Sequence, residues 1–144
     1  MNNGAKESLN YLATFLVRLV VGMIFAAHGS QKLFGAFGGP GWQATTQMFG
    51  QMGFAPGAFW GTLMACTEFF GGLGLIMGLF TRLAALGLVI GMAVAVVKVH
   101  WAHGLFAQNG GFEYPLTLLV INIALFIRGA GPWSVDALRS AHKK

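Results

Sequence analysis

At 144 residues the chain is long enough for one domain and no more. Apolar residues make up 56% of it and charged residues only 9%, against about 25% in a soluble domain, so charge could hardly cover a water-facing surface. The net charge is +5, but the basic residues are scattered rather than gathered into a patch. That argues against nucleic acid and for a membrane with an anionic inner leaflet.

A short polar start carrying Lys6 leads into an apolar run from Tyr11. This has the outline of a secretion leader, but Arg18 interrupts it and no small-x-small cleavage site follows, so a retained first helix is expected. The apolar runs predict four spans, at about residues 9–34, 58–79, 83–101 and 114–128. Each approaches the ~20 residues needed to cross the hydrocarbon, and the fourth is the shortest. The expected fold class is all-α: one transmembrane domain over residues 1–144, a four-helix bundle.

Between the first two spans, Gly38-Gly39-Pro40-Gly41 stops the first helix. Trp42, Met48, Phe49 and Met52 then recur at helical spacing, with Gln43, Gln47 and Gln51 on another side. This predicts a short helix lying in the interface rather than crossing it. Thr81-Arg82 is a minimal turn that makes the second and third spans antiparallel. Gly104 and Gly110-Gly111 mark the last loop. Beyond the fourth span lies a cytoplasmic tail, 129–144, in which Ser134 can cap a short surface helix.

Basic residues orient the bundle. Lys6, Arg82, Arg128, Arg139, Lys143 and Lys144 fall on the side of the termini, and only Lys32 and Lys98 fall opposite. Both termini are therefore expected in the cytoplasm, and the loops after the first and third spans face outward. Gly74 and Gly78, then Gly87 and Gly91, recur at i, i+4 and allow close helix packing, a structural feature rather than a functional one.

Charges inside the spans are costly, at least ~2.5–3.5 kcal/mol each on insertion scales. Counted from the ends of their apolar runs, Arg18 and Glu68 both lie roughly 13–15 Å deep. Matching depth on neighbouring antiparallel helices predicts an intramembrane Arg18–Glu68 ion pair that fixes helix register, with a polar site for a ligand or proton as the alternative. A second polar group collects at the outward end. His28 and Lys32 share a helix face, Lys98, His100 and His103 end the third span, and Glu113 and Tyr114 enter the fourth. Snorkelling and loop solvation account for Lys98. His28, Lys32, His100, His103 and Glu113 form the candidate ligand-binding set, and no catalytic residue can be singled out.

Cys66 is the one cysteine, so no intramolecular disulfide and no C-x-x-C motif exists, and a small packing residue is the simplest role for it. His100 and His103 have ligand-compatible spacing, but there is no H-E-x-x-H and no c-type haem motif. No metal is expected, and a b-type haem is disfavoured.

These residues in combination resemble the DoxX family. Arg18, Gly22, Phe25, His28-Gly29 and Lys32-Leu33-Phe34 look like its first helix. Glu68, Gly71-Gly72, Gly78, Thr81-Arg82 and Ala84-Ala85 look like its second segment and turn. His100, Gly110-Gly111, Glu113-Tyr114-Pro115-Leu116, Gly129, Gly131, Ser134 and Asp136 look like its closing half. The resemblance implies a four-helix bundle in a bacterial inner membrane. It also implies a link to quinol oxidase or thiosulfate:quinone oxidoreductase assemblies, with some relatives tied to thiol oxidative stress.

Three functions follow for weighing. The first is a redox-linked subunit, part of a quinone-linked oxidoreductase, that binds a quinone or quinol. Its headgroup would meet His28 or His100 with Glu113, and electrons would come from a partner because the chain has no flavin or metal motif. The second is an anchor or scaffold for a soluble partner of thiol or sulfur metabolism, with structural charges only. A small-solute carrier ranks lowest, for want of an inverted repeat. No cofactor is fixed by sequence beyond compatibility with a quinone. The partners expected are the lipid bilayer and either a soluble redox protein or a second copy of the chain.

Overall fold

The computed structural model describes residues 3–142, all helix and connection, with no strand among them. Lys143 and Lys144, counted above in the charge asymmetry, lie outside the described residues. The helices are α1 (Asn3–Phe34), α2 (Gly41–Gln51), α3 (Gly57–Met77), α4 (Thr81–Val94), α5 (Glu113–Arg128) and α6 (Val135–Ala141). The polypeptide leaves α4 without a break through a π turn (Ala95–His100) and a 3₁₀ turn (Trp101–His103).

Three helical stretches are long and apolar enough to cross a membrane: Asn3–Phe34, Gly57–Met77 and Thr81–His103. The 16 residues of α5 fall short of that length. The distribution of polarity is that of a lipid-embedded body. Leu16, Val20, Met23, Phe70, Leu83, Ile90 and Val120 are exposed, while Arg18, Glu68, Thr45, Thr81 and Asn122 are almost fully buried. Lipid tails solvate the apolar exterior, so polar groups are the ones driven inward.

Close approach of α1 and α3 sets the register of the whole bundle. A Cβ on Gly29 would stand 2.3 Å from the Phe69 backbone nitrogen, and one on Gly72 would stand 2.4 Å from that of Ala26. With no side chain at these points the two backbones touch, and dispersion between them replaces the hydrophobic drive that lipid removes. Antiparallel register then follows: Gly22 faces Gly72 and Ile76, Gly29 faces Phe69, and Arg18 faces Gly78. A core of Val21, Phe25, Leu75, Leu88, Met92, Leu118 and Leu125 joins this pair to α4 and α5.

One end of the bundle gathers the early part of α1, the α3–α4 turn, the end of α5 and α6. Gly78 ends α3 at φ 67°, a left-handed position suited to glycine. Here the structure corrects the expected Arg18–Glu68 pair. Arg18 donates instead to the carbonyls of Ala130 and, at 2.6 Å, Trp133, and Glu68 pairs with Lys32. Depth counted from the apolar runs misplaced Arg18, because α1 begins at Asn3 and its glycines set a register in which Arg18 lies beside the end of α3. Glu68 stands ten residues earlier on that helix, roughly 15 Å away along the axis.

The predicted tail helix forms as expected, its Ser134 Oγ accepting from the Ala137 N–H at 3.1 Å. The predicted short helix between the first two spans also forms, as α2. It packs across the start of α3, where Gly57 and Gly61 admit the Thr45–Thr46 backbone, and Trp42 Nε1 donates to Thr62 Oγ1 at 2.7 Å. Buried Thr45 ties it to the Lys32 carbonyl at 3.3 Å.

Candidate functional site

A cavity of about 320 Å³ opens in the half of the bundle opposite the termini. That volume lies at the lower end of the range of small-molecule sites. Its walls come from five helices: Phe25 of α1, Met64 of α3, Met92 of α4, Leu118 of α5, and Met48, Phe49 and Met52 of α2. Thioethers and phenyl rings make a deformable apolar lining.

Polar groups enter it from one side. Lys32 Nζ lies 2.5 Å from both carboxylate oxygens of Glu68, the lysine side chain 22% exposed and the glutamate 3%. Lys32 reaches back from the end of α1, and the register fixed by Gly29 against Phe69 brings Glu68 level with it. The pair neutralises two charges that the apolar surroundings would otherwise expel.

His100 lines the cavity from the π turn, with Nδ1 2.6 Å from the Gly110 carbonyl. A carbonyl only accepts, so Nδ1 carries the proton of this bond and Nε2 is left for a ligand. A π turn places one extra residue in the helical circuit and re-aims the side chains after it, a device frequent at functional sites. His28 also lines the cavity and has no hydrogen bond within the described residues. Its ring lies 6.5 Å from that of Tyr114, which belongs to the same wall. Both side chains line the cavity and are more than a third exposed.

Of the five candidate ligand residues, His28, Lys32 and His100 come together and two do not. Glu113 Oε1 accepts from the Ala107 N–H at 2.6 Å, closing the 104–112 loop. His103 turns its Nδ1 to the Val99 carbonyl at 3.1 Å. Both serve local backbone closure, since a short glycine-rich loop leaves N–H groups and carbonyls that nearby side chains satisfy. Lys98 is exposed and outside the lining, as snorkelling predicts. Glu68, Tyr114 and the methionines of α2 are site residues that depth and spacing alone did not assign. Among the described residues no group of three His, Cys, Asp or Glu side chains could hold a metal.

A helical bundle with lipid-facing apolar surfaces and a polar cluster inside an apolar cavity defines an integral membrane protein. The DoxX family model matches residues 13–101, and the chain belongs to the DoxX family. A Bacillus subtilis (strain 168) protein named "Putative oxidoreductase CatD" is 31% identical over 114 residues, 79% of this chain and 78% of that protein. An uncharacterized membrane protein of Mycobacterium tuberculosis is 31% identical over 134 residues, covering 83% of this chain and 77% of its own. No solved structure matches.

Proposed function

We propose that the cavity binds the headgroup of a quinone or quinol and that the chain acts as a small redox-linked membrane subunit. The observation that carries this is the meeting of His28, His100 and the Lys32–Glu68 pair in one methionine- and phenyl-lined cavity. A quinone offers two carbonyl oxygens on a flat apolar ring. An imidazolium N–H or the Lys32 ammonium can donate to a carbonyl, and a neutral His100 Nε2 can accept from a quinol hydroxyl. Imidazole nitrogens, which can donate or accept a hydrogen bond, suit a ligand whose two redox forms differ by two protons and two electrons. The electrons come from a partner protein carrying its own redox group. Relatedness to a protein with an oxidoreductase name supports the class.

Purification in mild detergent followed by lipid extraction and mass spectrometry should recover a bound quinone. His100→Ala and His28→Ala should each weaken its retention about tenfold, the worth of one hydrogen bond of ~1.4 kcal/mol. Recovery of a soluble partner with no quinone would instead establish the scaffold role.

The fold supports four crossings in a bacterial inner membrane. Arg82 at the start of α4 reaches the Ile127 carbonyl at the end of α5 (3.3 Å), and His100 meets Gly110 at the other end. So α5 runs the depth of α4, and its 16 residues, about 24 Å, cross a locally thinned or snorkelled bilayer. The excess of basic residues at the end bearing α6 supports a cytoplasmic location for that end. In a Cys66→Ser background, a cysteine at Gln108 should react with an impermeant maleimide added to spheroplasts, and one at Ser140 should not. Equal labelling would refute this topology.

A further inference from the structure

A second recess lies at the opposite end of the molecule and is built differently. Where α4 begins and α5 ends, a cleft of about 530 Å³ holds both Arg82 and Arg128. The Arg82 guanidinium rests over Gly129, where a Cβ would stand 3.3 Å from Nε, and its one hydrogen bond among the described residues is Nη2 to the Ile127 carbonyl. Arg128 donates from Nη2 to the Asn10 carbonyl at 3.1 Å. Each guanidinium has five N–H donors, so most of them remain for a ligand. Neither arginine has a salt bridge among the described residues. Asp136, the one carboxylate in the wall, has its two oxygens occupied by the backbone N–H groups of Phe80 (2.8 Å) and Thr81 (2.9 Å).

The cleft continues into an apolar groove. Phe80 and Leu83 line both, and the groove, about 500 Å³, runs on between α3 and α4. Its floor is made of small residues, Gly71, Gly74, Ala84 and Gly87, and it extends to Cys66. From Met77 to Cys66 it descends along α3 by roughly 16 Å. A cationic recess at the end of the helices opening into an apolar trough has the chemistry of a phosphate joined to an acyl chain. A free anion would leave the trough without an occupant, and a neutral lipid would leave two guanidinium groups without one.

We propose that this face is a binding site for an anionic glycerophospholipid, its phosphate held by Arg82 and Arg128 and one acyl chain laid along the α3–α4 groove. Planar guanidinium forks match phosphate oxygens in pairs, and basic recesses between membrane helices are known to hold such headgroups. The site is independent of the histidine-lined cavity at the other end.

Native mass spectrometry of the detergent-purified full chain, titrated with phosphatidylglycerol or phosphatidylcholine, tests it. The protein should retain phosphatidylglycerol preferentially, and Arg82→Gln and Arg128→Gln should each weaken that retention about fivefold. Ala84→Leu, which fills the groove and alters no charge, should weaken it as well. Melting temperatures in detergent identify any variant that fails to fold, and the other arginine variant then carries the test. Equal retention of the two lipids, or retention indifferent to both arginine variants, would overturn the proposal. Displacement of phosphatidylglycerol by millimolar inorganic phosphate, with Ala84→Leu without effect, would make this a free-anion site and equally overturn it.

Discussion

Lys32→Met should destabilise the folded protein by about 3–5 kcal/mol, the cost of stranding one member of a buried ion pair. Glu68 is 3% exposed and faces an apolar cavity, so without the ammonium its carboxylate has nothing to replace the solvation it has lost. Glu68→Gln should cost less. Lys32 is 22% exposed near the end of α1, and its flexible stem lets the ammonium swing toward the headgroup region. The double variant Lys32→Met/Glu68→Met removes both charges and keeps the volume filled. It should recover most of the loss, because exchanging a buried pair for apolar side chains is often close to neutral. Unfolding in detergent micelles, followed by helical circular dichroism, gives the cycle. Additive losses would show that the two groups are not coupled. Arg18→Met combined with Glu68→Gln should, in contrast, be additive within about 0.5 kcal/mol, as expected for residues that share no partner. The double Lys32/Glu68 variant also separates stability from binding: it should fold and still bind ligand less tightly if the pair contributes a donor to the cavity.

The contrast between these pairs shows what the residues disclose locally and what they do not. The apolar segments expected at 9–34, 58–79, 83–101 and 114–128 fall on α1, α3, α4 with its continuation to His103, and α5, of which the first three are long and apolar enough to cross a membrane. Apolar run length and the break at Gly38-Gly39-Pro40-Gly41 are local properties, so a sequence displays them. Register is a property of two helices at once. It was hidden in which glycines interlock, and setting Gly22 against Gly72 and Gly29 against Phe69 is enough to bring Lys32 level with Glu68. The small-residue positions were visible, but without a known neighbour they carried no register. Charge sign and position along the chain likewise grouped His28, Lys32, His100, His103 and Glu113 at one end. Hydrogen-bonding demand then divided them, since the 104–112 loop needs an acceptor for the Ala107 N–H and takes Glu113. That demand depends on the folded path of the loop. The methionines of α2 were read as one face of an interfacial helix. Their second role, closing the cavity over His28 and Lys32, required knowing that α2 folds back across α3.

Arg18→Met should release the tail from the bundle and cost about 3 kcal/mol, because two carbonyls in a compact turn would each lose a charged donor. Arg18 is 1% exposed, and its guanidinium spans the Ala130 and Trp133 carbonyls, so one side chain of α1 holds the whole 129–134 connection against the α3–α4 turn. The Trp133 ring adds an edge-on contact with Phe15 at 6.0 Å. Asp136 holds the same segment from the other side. Its carboxylate accepts from the first free N–H groups of α4, at Phe80 and Thr81, where Phe80 sits at φ 48°, a conformation that costs a non-glycine residue about 1 kcal/mol or more. Asp136→Ala should therefore loosen the turn by about 1–2 kcal/mol, the usual worth of a helix cap. The two substitutions act on one connection, so together they should cost less than their sum. Limited trypsin digestion gives a second measure: Arg139 is exposed but held in α6, so it should be cut several times faster in Arg18→Met, where the released tail lets that backbone open. Arg139 itself lies over the Phe80 ring at 4.6 Å and is drawn off it when the tail leaves. Unchanged cleavage at Arg139 in a variant whose unfolding midpoint has dropped would show that Arg18 stabilises the helices without holding the tail. The order of the losses matters as well. Arg18→Met takes a charged donor from two carbonyls, whereas Asp136→Asn keeps an amide oxygen able to accept from the turn, so Arg18→Met should exceed Asp136→Asn in both measurements.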